Sequence, residues 1–307
     1  FRRVLFRSVI MFAPTINTHI GDATSIWSSA WTKKGGIVLG CIDGSTRILS
    51  ASLETLFDIK SQHMGIVSVS SNPSNNWIAT NTVDGYICIR DSETGSLVMS
   101  ITLGPMEAWP IQLSTSGTIL YTGSGNGTVK EWKLNETAIE PGSSIDTKAG
   151  FIMSLAISAD GNLLATGHKD GTVCVIDLSK KKVKRIFHNH EQPVRALCFS
   201  PKNLLYSGSD DKMITCYDVR TEDAAVVRVF SGHSGWVTSV SVSPDDNYLV
   251  SSSTDKSVMV FPLQTEDPVQ TMNCHDSMVW SIHFDKKGEK LVSTGDDGSV
   301  QLYLRQE

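Results

Sequence analysis

The chain has 307 residues, a formal net charge of −5, a sequence pI near 5.9 and 40% hydrophobic residues, which suits one large all-β or repeat domain. The acidic balance, with no basic half, excludes non-specific polyanion binding as the main activity. No apolar run approaches the ~20 residues of a membrane-spanning helix, and the six cysteines form no CxxC pair, which reads as free thiols in a reducing compartment.

In chain order, Phe1 to Ser8 (FRRVLFRS) reads as the conceptual translation of a sequencing adapter. Residues 1–10 are therefore set apart as a non-native or disordered leader, and 11–307 are taken as one domain starting at Met11. The stretch Val9 to Ala13 is too short for a signal peptide's apolar segment, so the sequons at Asn126 and Asn135 are expected to stay unglycosylated.

The first unit's inner strand is expected over Ser25 to Trp31, and from there one unit recurs. Its clearest copy is Ser231 to Phe261. Three runs of β-formers, Val237 to Ser243, Tyr248 to Ser253 and Ser257 to Phe261, are separated by turns at Pro244-Asp245-Asp246-Asn247 and Thr254-Asp255-Lys256. The second-turn residue returns as Asp43, Asp84, Asn126, Asp170, Asp211, Asp255 and Asp297, at spacings of 41 to 44. That period, with four short strands per unit, predicts an all-β, seven-bladed WD-repeat β-propeller. Only ten residues follow Asp297, room for the third strand of the last blade (Ser299 to Leu304) and not for a fourth. Met11 to Thr18 are assigned as the missing outer strand, closing the ring and covering an edge. Glu136 to Gly150 reads as the longest connection.

Four units carry a His, a hydroxyl and the turn Asp: His63, Thr80, Asp84; His190, Ser207, Asp211; His233, Ser251, Asp255; and His275, Ser293, Asp297. Singly, each resembles a hydrolase triad. Four copies around one ring point instead to a structural network tying each entry loop to its second turn, since catalysis needs one site. The third and fourth units have no His at that place. Gly123-Ser124-Gly125-Asn126-Gly127 is turn glycine and not a nucleotide loop, and His188 with His190 lacks a third metal ligand. Lys180-Lys181-Lys182-Val183-Lys184-Arg185 reads as a solvated hairpin, with RNA contact the lesser alternative.

One inner-strand position, 16 or 17 residues before each turn residue, is expected to face the central channel: Trp27, Val67, Trp109, Met153, Arg195, Thr238 and Trp280. Three Trp, a Met and an Arg are the residue types of interaction hot spots. Trp236 adds an indole from an entry loop, and Lys169, Asp210 and Asp296 are expected as a polar rim. Plugging of a narrow channel is the alternative.

The units GPMEAW (Gly104 to Trp109), Phe151 to Val173, Ser231 to Asp246, Ser251 to Val258 and VWSIHF (Val279 to Phe284) resemble the WD-repeat subunit of the superkiller complex, the Ski-eight family. The likeness runs from about Trp27 onward and includes a third blade that begins Gly-Pro. It departs in the long entry Thr18 to Ser25 and at Phe261-Pro262, which stands for Trp-Asp. The resemblance implies a non-catalytic scaffold without cofactor or metal, cytoplasmic and nuclear. It would dock on the tetratricopeptide-repeat subunit that also carries an RNA helicase, supporting exosome-mediated 3'-to-5' mRNA decay, and would associate with Paf transcription-elongation subunits, without touching nucleic acid or membrane itself. Peptide binding would fall on Trp27, Trp109, Arg195, Trp236 and Trp280. The other class left open is a substrate-recognition or signalling adaptor, for example of a ubiquitin ligase.

Overall fold

The computed structural model describes residues 11–20, 24–72, 74–220 and 226–306, so the leader 1–10 and the middle of the entry at Thr18 to Ser25 lie outside the described residues. The described residues form 28 strands and no helix, arranged as seven four-stranded antiparallel sheets. Six blades are consecutive meanders. In the sixth, Val237–Val242, Tyr248–Ser253, Val258–Pro262 and Gln270–Met272 run from axis to rim. Phe261-Pro262 keeps its register there: Leu249 pairs with Phe261 and Tyr248 with Pro262, because Phe261 fills the blade interface with no exposure and Pro262 ends its strand.

The seventh sheet joins the two ends of the chain. Its order places Met11–His19 beside Ser299–Gln306, followed by Lys290–Gly295 and Val279–Phe284. Phe12 is buried, meets Phe284 edge-on at 5.7 Å, and has its backbone N–H and carbonyl both bound by the Gln270 amide at 2.9 and 2.7 Å. The closure strand is thus anchored by its own register and by the neighbouring sixth blade.

The segment Glu136 to Gly150 is not a connection but holds the third blade's outer strand, Ile139–Asp146, which tolerates Pro141 through a register shift opposite Lys130 and Trp132. Cores lie between blades. Tyr206 and Phe230 of the fifth blade meet Phe261 and Leu249 of the sixth, and Val175 and Phe187 of the fourth meet Tyr217 of the fifth. At the second turns, Gly127 has φ +84°, and a Cβ there would lie 1.9 Å from Ala149 O, which accounts for the Gly-rich run at 123–127 as turn chemistry.

Candidate functional site

The channel mouth is shaped by one backbone irregularity repeated around the ring. In the first blade the pairing register shifts between Ile26 and Ser28, and equivalent shifts flank Val67, Met153, Arg195, Thr238 and Trp280. Each of these residues is the extra one of a β-bulge, outside the ladder, which re-aims its side chain. In the third blade Trp109 precedes the short strand Ile111–Leu113 and donates its backbone N–H to Gly123 O at 2.7 Å. The seven side chains predicted from the sequence converge on one cavity of about 230 Å³. Beneath it a second chamber of about 220 Å³ reaches Ser29 and His283, which also line a cavity of about 410 Å³ at the opposite mouth with Trp31 and Phe284.

Several ring side chains are held in place. Arg195 makes a two-pronged bond to Asp210, Nε to Oδ1 at 2.5 Å and Nη2 to Oδ2 at 2.9 Å, and its guanidinium lies 4.8 Å from the Trp236 ring centroid. Trp280 Nε1 donates to Asp296 Oδ1 at 2.8 Å, and Asp296 also accepts from the Ser25 hydroxyl. Asp210 and Asp296 are therefore braces for the ring more than a free rim. Trp109 meets Phe151 edge-on at 5.6 Å, and the Thr238 hydroxyl donates to Val279 O in the next blade.

A second, outer ring escaped the sequence reading. The carbonyls of Ser25, Gly65, Met106, Phe151, Pro193, Trp236 and Met278 each accept a backbone N–H from the second-turn region of their own blade, so these residues are structural equivalents. In blades three to seven they are apolar, with Met106 49% exposed, Trp236 43% and Met278 39%. The signal was available, because each stands two residues before its bulge residue, or three in the third blade.

The His networks form in three of the four predicted blades. His190 Nδ1 lies 2.7 Å from Asp211 Oδ2 and Nε2 lies 2.7 Å from Ser207 Oγ; the matching distances are 2.9 and 2.7 Å for His233 with Asp255 and Ser251, and 3.0 and 2.6 Å for His275 with Asp297 and Ser293. A carboxylate only accepts, so Nδ1 carries the proton and Nε2 accepts from the hydroxyl. Burial pushes the Asp255 and Asp297 carboxyls up, but bonds from the His ring and from Ser257 or Ser299 outweigh it and hold both far below the usual carboxylate range. Ser207, Ser251 and Ser293 have no exposed surface, so these sets cannot present a nucleophile to a substrate.

The second blade departs from the prediction. His63 pairs with Asp84 at 2.8 Å, but Tyr86 stacks on its ring at 3.9 Å, where the sixth and seventh blades have Ser257 and Ser299. The Thr80 hydroxyl meets Cys88 Sγ at 3.1 Å in place of the His63 ring. The fourth blade builds a substitute from its second strand: His168 Nε2 lies 2.8 Å from Thr166 Oγ1 and Nδ1 lies 2.7 Å from Gly150 O. His188 and His190 serve different partners, His188 meeting Thr172 Oγ1 at 3.3 Å. Among the described residues no group of three His, Cys, Asp or Glu side chains gathers as a metal site, and no helix is long and apolar enough to cross a membrane.

Seven four-stranded blades around a channel, tied by repeated His–Asp pairs and closed by the start of the chain, define a seven-bladed WD-repeat propeller. Residues 25–304 match the family model described as the IFT122 first beta-propeller, and the chain belongs to the WD-repeat β-propeller family. It is 32% identical over 287 residues to WD repeat-containing protein SL1-17 of Schistosoma mansoni, covering 91% of this chain and 94% of that protein. It is 30% identical over 242 residues to WD repeat-containing protein VIP3 of Arabidopsis thaliana, covering 72% and 74% respectively. Pre-mRNA-processing factor 19 of Oryza sativa subsp. japonica is 25% identical over 280 residues, 89% of this chain and 52% of that protein. Membership of this family gives the chain the general role of a protein-interaction scaffold.

Proposed function

We propose that the chain docks partner peptides on the channel mouth ringed by Trp27, Val67, Trp109, Met153, Arg195, Thr238 and Trp280, with Trp236 beside it, as the WD-repeat subunit of a superkiller-type complex. The observation that carries the reading is the ring itself: three indoles, a methionine and a braced arginine converge on one cavity of about 230 Å³, rimmed by exposed Met106, Trp236 and Met278. Interface energy concentrates in such aromatic and arginine anchors. A channel needing only to be plugged would have no use for exposed apolar residues outside it.

The particular complex rests on the blade-specific resemblance to the Ski-eight family. In this reading the partners are the tetratricopeptide-repeat subunit and, through it, the RNA helicase, with cytoplasmic mRNA decay by the exosome as the outcome and Paf complex subunits as nuclear partners. The chain contributes no cofactor chemistry and no direct nucleic-acid contact. Affinity purification of the tagged chain from its native cells, followed by mass spectrometry, tests this. Tetratricopeptide and helicase subunits recovered from wild type and lost from a Trp109→Ala, Trp280→Ala variant support it; cullin adaptors recovered in their place overturn it in favour of a ligase adaptor.

A further inference from the structure

The outer edges of the blades differ in how they are protected. Pro141 interrupts the third blade's outer strand, Lys182 and Lys184 line the fourth's, the sixth's has three residues, and the seventh's carries Pro14 and a bulge. These are the devices by which sheets avoid unwanted pairing. The fifth blade's outer strand, Val226–Phe230, has no proline and no lysine, only a bulge at Val227 and the single charge of Arg228, and exposes Val226, Val227 and Val229 by 38, 51 and 36%. By comparison the second blade's outer strand exposes one large apolar residue, Leu97.

The register shows where these valines face. Arg228 and Phe230 pair with Cys216 and Ile214, whose side chains pack toward the sixth blade, and Val227 is the bulged residue beside them. Val226 pairs with Tyr217, which packs toward the fourth blade, and Val229 follows that face by alternation. Apolar surface is therefore open on both faces of one free edge.

Among the described residues, cations outnumber carboxylates around this edge. On the fourth-blade side Lys184 Nζ bonds Val219 O at 3.2 Å, and Lys182 pairs with no carboxylate among the described residues. On the sixth-blade side a recess of about 230 Å³ is lined by Val227, Arg228, Arg220 and Lys202. Two carboxylates beside it are already taken, Asp218 by Arg220 at 2.7 Å and Asp246 by Lys202 at 2.8 Å, whereas among the described residues Arg228 bonds the Gln264 carbonyl and no carboxylate. This basic sector stands out in a chain of net charge −5.

We infer that Val226–Phe230 is a second docking site, independent of the channel mouth, at which an extended partner segment alternating apolar and acidic residues adds as a fifth strand. Backbone bonds to the free edge supply affinity, Val227 on the sixth-blade face takes the apolar side chains, and Lys182 and Lys184 on the fourth-blade face select the acidic ones. RNA is disfavoured as occupant because the edge offers valines where single strands need aromatic platforms.

The test uses the full chain with a fluorescein-labelled octapeptide of alternating Glu and Val, its Lys/Val counterpart, and a 12-mer of oligouridine, read by fluorescence anisotropy and by amide hydrogen exchange of 226–230. The acidic peptide binds, slows exchange in that strand, and binds at least fivefold more weakly to Lys182→Glu, Lys184→Glu and to Val227→Thr, Val229→Thr, each checked for unchanged melting. It binds Trp109→Ala, Trp280→Ala as wild type, which separates this site from the channel mouth. Equal binding of acidic and basic peptides, no slowing at 226–230, or oligouridine binding lost in the Lys variant without peptide binding overturns it.

Discussion

Two rings run around this propeller, and they obey opposite rules. The buried ring of His–Asp ties repeats the same residue types at the same distances in the fifth, sixth and seventh blades, all within 2.6 to 3.0 Å. The bulge ring repeats a backbone geometry but fills it with Trp, Val, Trp, Met, Arg, Thr and Trp. Where a repeat protein needs the same mechanical job in every unit, chemistry recurs. Where recognition is the job, only placement recurs and the side chains diverge. A ring that diverges while keeping its aim is the better candidate for function, and a ring that recurs is the better candidate for stability.

The largest effect that could break this comparison is loss of the closure itself. Removing 1–19 strips the partner from Ser299–Gln306 and exposes Phe284 and Tyr303, so the truncated chain should aggregate or lose its cooperative transition. Size-exclusion chromatography and calorimetry check this; a monomer with unchanged melting would mean the seventh blade stands with three strands.

Next in size is Asp297→Ala. It leaves the Nδ1 proton of the buried His275 ring, which also accepts from Ser293, without its carboxylate acceptor and should cost about 1 to 3 kcal/mol, a visible share of roughly 5 to 15 in total. Denaturant melts measure it, and partner affinity should be unchanged at temperatures where the protein is folded.

The same network sets an acid limit. Because the folded carboxyls of Asp255 and Asp297 are depressed, their contribution is fully present above the ordinary carboxylate value near 4 and is lost as pH falls from there toward the folded values. Urea midpoints taken from pH 7 to 2 should fall steeply below about pH 4 in wild type and less steeply in Asp297→Asn. Parallel curves would remove this network from the stability of the fold.

The smallest effect is expected from Lys181→Ala, Lys182→Ala. Lys181 reaches Glu131 at 3.2 Å from a half-exposed position, a pairing worth little in solvent, so melting should move by under about 1 kcal/mol and binding at the channel mouth should not change.

Much of this was legible in the sequence because the repeat supplied its own alignment. The turn residues from Asp43 to Asp297 set the blade count, the missing fourth strand after Ser299 to Leu304 pointed to Met11 to Thr18, one residue short of the observed strand, and a near-constant offset picked out all seven cavity residues. The bulges that aim those residues were not legible, since a bulge is a pairing event between two strands and leaves no composition mark. Met106, Phe151 and Met278 were missed because a single apolar residue in a polar loop looks incidental until six others stand at the same place. Thr80 failed as a network member because Tyr86, read as an ordinary strand former, stacks on His63. The outer strand Ile139–Asp146 was hidden by Pro141, Gly142 and two serines, which read as loop.

The claim that the divergent ring is the docking face is tested most directly by isothermal titration of the C-terminal region of the proposed tetratricopeptide-repeat partner into wild type and Trp109→Ala, Trp280→Ala. The indoles are partly exposed and their removal should leave folding nearly unchanged. Loss of two aromatic anchors predicts weakening by at least about 2 kcal/mol, roughly thirtyfold. Wild-type affinity in the double variant, with melting unchanged, would place the docking face elsewhere.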